Sequence, residues 1–116
     1  MSSILLDVKH KIGPSADYEY FETDVIDAIN TAFATLNQVG APEFAITDDQ
    51  AQWEDYSNSV TLLGFVRTFI CDTVRLIFDP PNSSFVITNI KERLDDLLFR
   101  IHVEVDNQKI MEEAND

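Results

Sequence analysis

The sequence predicts an all-α protein, a small helical bundle of about four helices with one long loop and a loose C-terminal tail. Three observations lead there. Only three of 116 residues are glycine and four are proline, too few breaks for a chain of many short strands and too few for a disordered linker. Hydrophobic residues make up 45% of the chain, enough for one core in a domain of this size, which buries about 65% of its unfolded surface. Apolar side chains also recur over long stretches at the period of an amphipathic helix.

Residues 4–12 place Ile4, Leu5, Val8 and Ile12 at helical spacing, and Gly13, Pro14 and Ser15 end this first helix. Residues 24–39 repeat apolar side chains at Val25, Ile29, Ala32, Phe33, Leu36 and Val39, with Thr23 as candidate N-cap and Gly40 as the stop. Between 41 and 57 the period lapses. That stretch reads as a long connection holding Phe44, Ile46, Trp53 and Tyr56, with Thr47 and Gln50 as a capping box for one short turn that carries Trp53. Loops this long are uncommon in small domains and often carry function. The plainer expectation for Trp53 is a plug in the core.

Residues 58–79 hold the longest apolar pattern, a helix of about six turns that opens at Asn58 or Val60 and closes at Pro80. Leu63, Val66, Ile70, Val74 and Ile77 form one stripe, and Leu62, Phe65, Phe69 and Leu76 form a second beside it. Such a helix is either central in its own domain or shares a stripe with a neighbouring subunit. The last helix runs from Ser83 or Ser84 to His102, capped by Asn82 or Ser83, with a face of Val86, Ile87, Ile90, Leu94, Leu97, Leu98 and Ile101. Phe85 and Phe99 fall off that face. Phe99 shares the polar arc with Glu92, Asp95 and Asp96, a position that suits either an ordinary exposed ring or an interface anchor. Residues 1–103 are therefore read as one helical domain and 104–116 as a polar, acidic tail.

The formal charge of −13 is unevenly spread, because no Lys or Arg stands between Lys11 and Arg67 while that stretch holds ten Asp or Glu residues. Such a surface repels phosphates and anionic lipid over about the Debye length, ~8 Å at physiological salt. Specific DNA binding and a membrane partner are therefore not expected. Solubility alone is the plainer use of the acid. Cys71 is the only cysteine, which precludes an internal disulfide, suits a reducing cytosol and reads as a small core filler. No apolar run approaches the ~20 residues of a membrane span, and the N-terminal run is too short for a signal sequence. A soluble protein, not secreted by that route, is expected.

Signatures of catalysis and metal binding fail on inspection. In a calcium loop starting at Asp48, Trp53 would stand where the sharp turn needs glycine and Ser59 where a bidentate Glu is needed. His10 and His102 have no His or Cys at ligand spacing. Phosphate loops, nucleophile elbows and zinc-protease motifs do not occur. The acid pairs Asp48 with Asp49, Glu54 with Asp55 and Asp95 with Asp96 are sequence neighbours, which do not face each other on a helix. The expectation is a non-enzyme with no catalytic residue, cofactor or metal. One corner remains, "VRLIFDPPNSSF" at residues 74–85. Arg75 is spaced to bridge Asp72 and Asp79 along one helix face, Pro80 and Pro81 stop and stiffen the turn, and small polar residues cap the next helix. Asp72, Arg75, Asp79, Pro80 and Pro81 thus predict a short, rigid αα-corner.

The runs "VRLIFDPPNSSFVITNIKERLDDLLFRIHV" and "FETDVIDAINTAFATLNQVG" resemble small head-tail connector proteins of long-tailed bacteriophages, over residues 4–103. The likeness is carried by the Asp-rich helix start at 23–27, "LNQVG" at 36–40, and the "FDPP" corner followed by "SSF". It implies an all-helical adaptor with an extended loop and no enzymatic activity. Such an adaptor assembles as a ring of about twelve copies beneath the portal of the filled capsid and hands the DNA channel to a stopper or tail-completion protein. The implied location is the virion neck, with the host cytoplasm before assembly. DNA would pass without specific binding, which gives the acid a purpose beyond solubility. Glu43, Asp48, Asp49, Glu54 and Asp55 are the channel-lining candidates. Leu62, Phe65, Phe69, Leu76 and Phe99 are the subunit-interface candidates, since one repeated head-to-tail patch closes a ring. An alternative from another class is an acidic DNA mimic that inhibits a host nucleic-acid-binding protein.

Overall fold

Residues 3–13 and 22–115 are described by the structure, a computed structural model. Among these residues five helices follow in order: α1 (Ile4–Ile12), α2 (Glu22–Gln38), α3 (Trp53–Tyr56), α4 (Val60–Phe78) and α5 (Ser84–Asn115). Among the described residues there is no strand, only an isolated antiparallel bridge between Ser3 and Gln52.

Helix α1 begins where the Ser3 hydroxyl accepts the Leu6 N–H, and it ends at Gly13, whose φ of 102° suits a residue without a side chain. The Pro14 and Ser15 part of the expected stop lies outside the described residues. Helix α2 starts earlier than its apolar period indicates, so Thr23 sits inside the first turn and is not the N-cap. Glu22 and Asp24 flank it there, where carboxylates meet the positive end of the helix dipole. Its end is as expected: Gly40 takes φ 102°, and the Ala41 N–H returns to the Leu36 carbonyl at 3.1 Å.

The connection from 41 to 57 is anchored throughout. Ala41, Ile46, Trp53 and Tyr56 are buried, and Phe44 packs with Phe33 and Tyr56 at ring-centroid distances of 5.1 and 5.4 Å. The side chain of Asn30 holds the Ile46 backbone at both its N–H and its carbonyl, at 2.8 and 2.9 Å. The capping box forms at other residues than Thr47 and Gln50. Asp55 reaches back to the Gln52 N–H at 2.8 Å to open α3, while Asp48 accepts the Gln50 N–H in a local turn.

Helix α4 is central in its own domain, packed against all four other helices. Residues of both predicted stripes are buried, namely Val66, Ile70 and Val74 of the first with Leu62 and Phe69 of the second. Cys71 joins them as a buried free thiol. Ser59 caps the helix by accepting the Leu62 N–H at 3.1 Å, and Asp79 ends it before Pro80. Ile77 departs from its stripe's expectation, being 58% exposed near the corner.

Helix α5 opens at Ser83, whose hydroxyl accepts the Val86 N–H at 3.4 Å. It then continues well past His102, and the segment expected as a loose tail is helical through Asn115. The physical reason is that the apolar face has one more member. Val105 follows Ile101 by one turn and is 5% exposed in the same core cluster. The His102 ring nitrogen Nδ1 meets the Val39 carbonyl at 2.9 Å, and Arg100 with Asp96 and His102 with Asp106 add pairs one turn apart. At a rise of ~1.5 Å per residue, its 32 residues span about 48 Å. That matches the longest dimension of the molecule, 48 Å.

Candidate interaction surfaces

Three surface features and one polar knot emerge from this packing. The knot is built on Asp7, which projects from α1 with its side chain only 9% exposed. Its carboxylate accepts from Arg67 of α4 through Nε and Nη2, and from the Trp53 indole N–H of α3 at 3.0 Å. Burial alone raises the pKa of Asp7, but the hydrogen bonds from Arg67 and Trp53, with the charges of Arg67 and Lys11, more than offset it and hold the carboxyl below its ordinary value. Trp53 is therefore the core plug that was expected, and it also pins the 41–57 segment to two helices. Neither Asp7 nor Arg67 was singled out from the sequence, because they lie 60 residues apart.

The first surface is the acidic segment. Glu43, Asp48, Asp49, Glu54 and Asp55 are all exposed. Asp48 and Asp55 accept backbone N–H groups, and Asp49 accepts the Gln50 side-chain amide at 2.8 Å. None of the five has a cationic partner among the described residues. The segment alternates anchored apolar side chains with outward carboxylates, so its charge sits on a fixed backbone.

The second surface is an open groove of about 330 Å³ between α4 and α5, lined by Thr61, Phe65, Phe99 and Val103, with Asp96, Arg100 and Glu104 at its edge. It brings together two of the five interface candidates. Phe99 is 65% exposed, and Val60 in the first turn of α4 is 86% exposed. Leu62 and Phe69 must be withdrawn as contacts to another subunit, since they are 1% and 4% exposed inside the chain's own core. Leu76 is half-buried, away from the groove. Val103, one turn after Phe99, was missed because the helix was ended too early.

The third surface is the corner. The predicted bridge of Arg75 to Asp72 and Asp79 does not form, because Asp72 is taken by Arg93 of α5 at 2.8 Å. Arg75 makes no ion pair or side-chain hydrogen bond among the described residues. The corner is held instead by that cross-helix clasp and by the chain geometry of Asp79, Pro80 and Pro81. Ile77, Phe85 and Val86 stand exposed around it at 58%, 73% and 39%.

Burial pushes the Cys71 thiol up to about 12, far from the thiolate that nucleophilic work requires. No group of three or more His, Cys, Asp or Glu residues is arranged to hold a metal among the described residues. His10 is exposed, and His102 serves the contact to Val39. No helix of the described chain is long and apolar enough to cross a membrane.

Geometry of this kind defines an all-helical bundle whose exposed features are apolar patches and a fixed acidic edge. Residues 4–108 match the family of phage connector proteins, and the chain belongs to that family. No curated protein and no solved structure matches it.

Proposed function

We propose that this phage connector acts as a head-tail adaptor that forms a ring under the portal, links the DNA-filled capsid to the tail and surrounds the DNA path with acid. It is a structural component of the virion neck, present in the host cytoplasm before assembly, with the portal and a stopper or tail-completion protein as its partners and no reaction to catalyse. Family membership across residues 4–108 supports the setting. The observation that carries the channel reading is the row of five exposed carboxylates, Glu43, Asp48, Asp49, Glu54 and Asp55, on a segment free of Lys and Arg. A tube through which DNA slides must not hold phosphates, and fixed negative charge with no local cation meets that need. Phe65, Phe99 and Leu76 remain the candidates for subunit contacts.

The test is imaging and native mass of the protein with and without purified portal assemblies. The expected result is an extra axial layer under the portal, with the 41–57 segment facing the bore. A portal that gains no layer at saturating connector refutes the adaptor role. A ring that places all five carboxylates on its outer rim refutes the channel role alone.

A further inference from the structure

The α4–α5 groove and the α4–α5 corner are each left incomplete, and in complementary ways. The groove offers the apolar surface of Phe65, Phe99 and Val103, with the Glu104 carboxylate at its edge and Arg100 already engaged by Asp96 at 2.7 Å. The corner offers exposed Phe85, Ile77 and Val86, together with Arg75, which has neither of its expected carboxylates. Within one chain the two cannot meet. Helices α4 and α5 run antiparallel, so Arg75 lies about 15 Å along α4 from Phe65, and Phe85 about 21 Å along α5 from Phe99. Helix α5 is continuous between them.

We infer that the groove of one copy receives the corner of a second copy, with Phe85 against Phe99 and Val103, and Arg75 facing Glu104. This rests on the assembly reading above and specifies its contact. Pairing of charges favours this occupant: among the described residues Glu104 is bonded only to the neutral Gln108 amide, at 3.3 Å, and has no cation of its own, while Arg75 has no carboxylate bonded to it. The volume, about 330 Å³, suits an aromatic side chain with its neighbours rather than a whole helix. Because the two patches differ, the contact is head-to-tail and leaves one free groove and one free corner at every step, the condition for closing a ring.

The experiment uses the full chain in sedimentation velocity up to about 1 mM, where even a millimolar contact is about 40% occupied. Five proteins are compared: wild type, Arg75→Glu, Glu104→Arg, the double reversal and Phe85→Asp, with circular dichroism to check that each stays helical. Each single reversal is expected to weaken self-association about tenfold, and the double reversal to recover most of it. Phe85→Asp is expected to abolish association outright, as loss of a central aromatic anchor does. Single reversals without effect, or a double reversal no better than the singles, overturn the pairing even if rings form by another surface. A wild type that stays monomeric at 1 mM overturns it too. Rescue in a closed dimer upholds the contact and refutes the ring, so the two readings fail separately.

Discussion

Replacing Asp7 by Asn tests whether the polar knot secures the acidic segment. The carboxylate is 9% exposed and receives two bonds from Arg67 and one from Trp53. Hydrogen bonds to charged groups contribute about 1.5–3 kcal/mol each. Arg67 is 47% exposed and regains water when released, so its pair counts for a fraction of that. Asn keeps an acceptor for the indole. The net cost is about 2 kcal/mol at neutral pH, a fall in Tm of about 8 °C for a domain of this length. Asp7→Ala also strands the indole N–H and costs about 1 kcal/mol more. Urea unfolding followed by circular dichroism gives the stability, and Trp53, the only tryptophan, reports its own segment by fluorescence. The folded pKa of Asp7 is depressed, so its stabilisation is complete above the unfolded pKa near 4 and is lost as pH falls through the folded value. The gap between wild type and Asp7→Asn should be flat from about pH 7 to 5 and close below about pH 4. A variant within about 0.5 kcal/mol of wild type at pH 7, or a gap that persists in acid, refutes the reasoning.

Two further outcomes follow from the packing. Cys71, buried with its thiol pushed up to about 12, should react with a thiol reagent at pH 8 only as fast as the protein opens; rapid stoichiometric labelling of the native chain would show that the α1–α4 contact is loose. Truncation after Val103 removes the buried Val105 and should cost about 1–2 kcal/mol in urea unfolding, whereas an unchanged midpoint would mean the last turns of α5 contribute nothing to the core.

Most of the fold was legible because helical period is a local property. The burial of Ile4, Leu5, Val8 and Ile12 in α1 and of Val25, Ile29, Ala32, Phe33 and Leu36 in α2 follows from spacing alone. What failed needed knowledge of a second element. Arg75 and Asp72 are well placed on one helix, but Arg93 arrives from α5 and reaches the same carboxylate. The stripes of α4 were visible, while their neighbours were not, so burial of Leu62 and Phe69 by the chain itself could not be told from burial by a subunit. The end of α5 was misplaced because eleven residues after Val105, mostly polar, outweigh one valine in any compositional reading. The exposed acid was readable as charge, but its anchoring through Asn30 to Ile46 and Asp7 to Trp53 spans long gaps in sequence.

Magnitudes decide where the acidic edge can matter. A carboxylate and a phosphate about 10 Å apart in water repel by ~0.4 kcal/mol, and physiological salt reduces that to ~0.1 kcal/mol. Five such groups on one chain oppose a phosphate by little more than half a kcal/mol, about the thermal energy RT, which is no barrier to contact. A single copy is therefore acidic without being an electrostatic device. In the proposed ring of about twelve copies, each of the five positions would repeat around the axis, and a low-dielectric wall behind them would direct the field into the bore. The repulsion would then sum over neighbouring copies and act from all sides, which would centre a charged polymer without gripping it. In the proposed ring, the carboxylates of the 41–57 segment would gain their effect only through the contact that multiplies the copies, so the apolar patches on α4 and α5 would belong to the channel as much as the acid does.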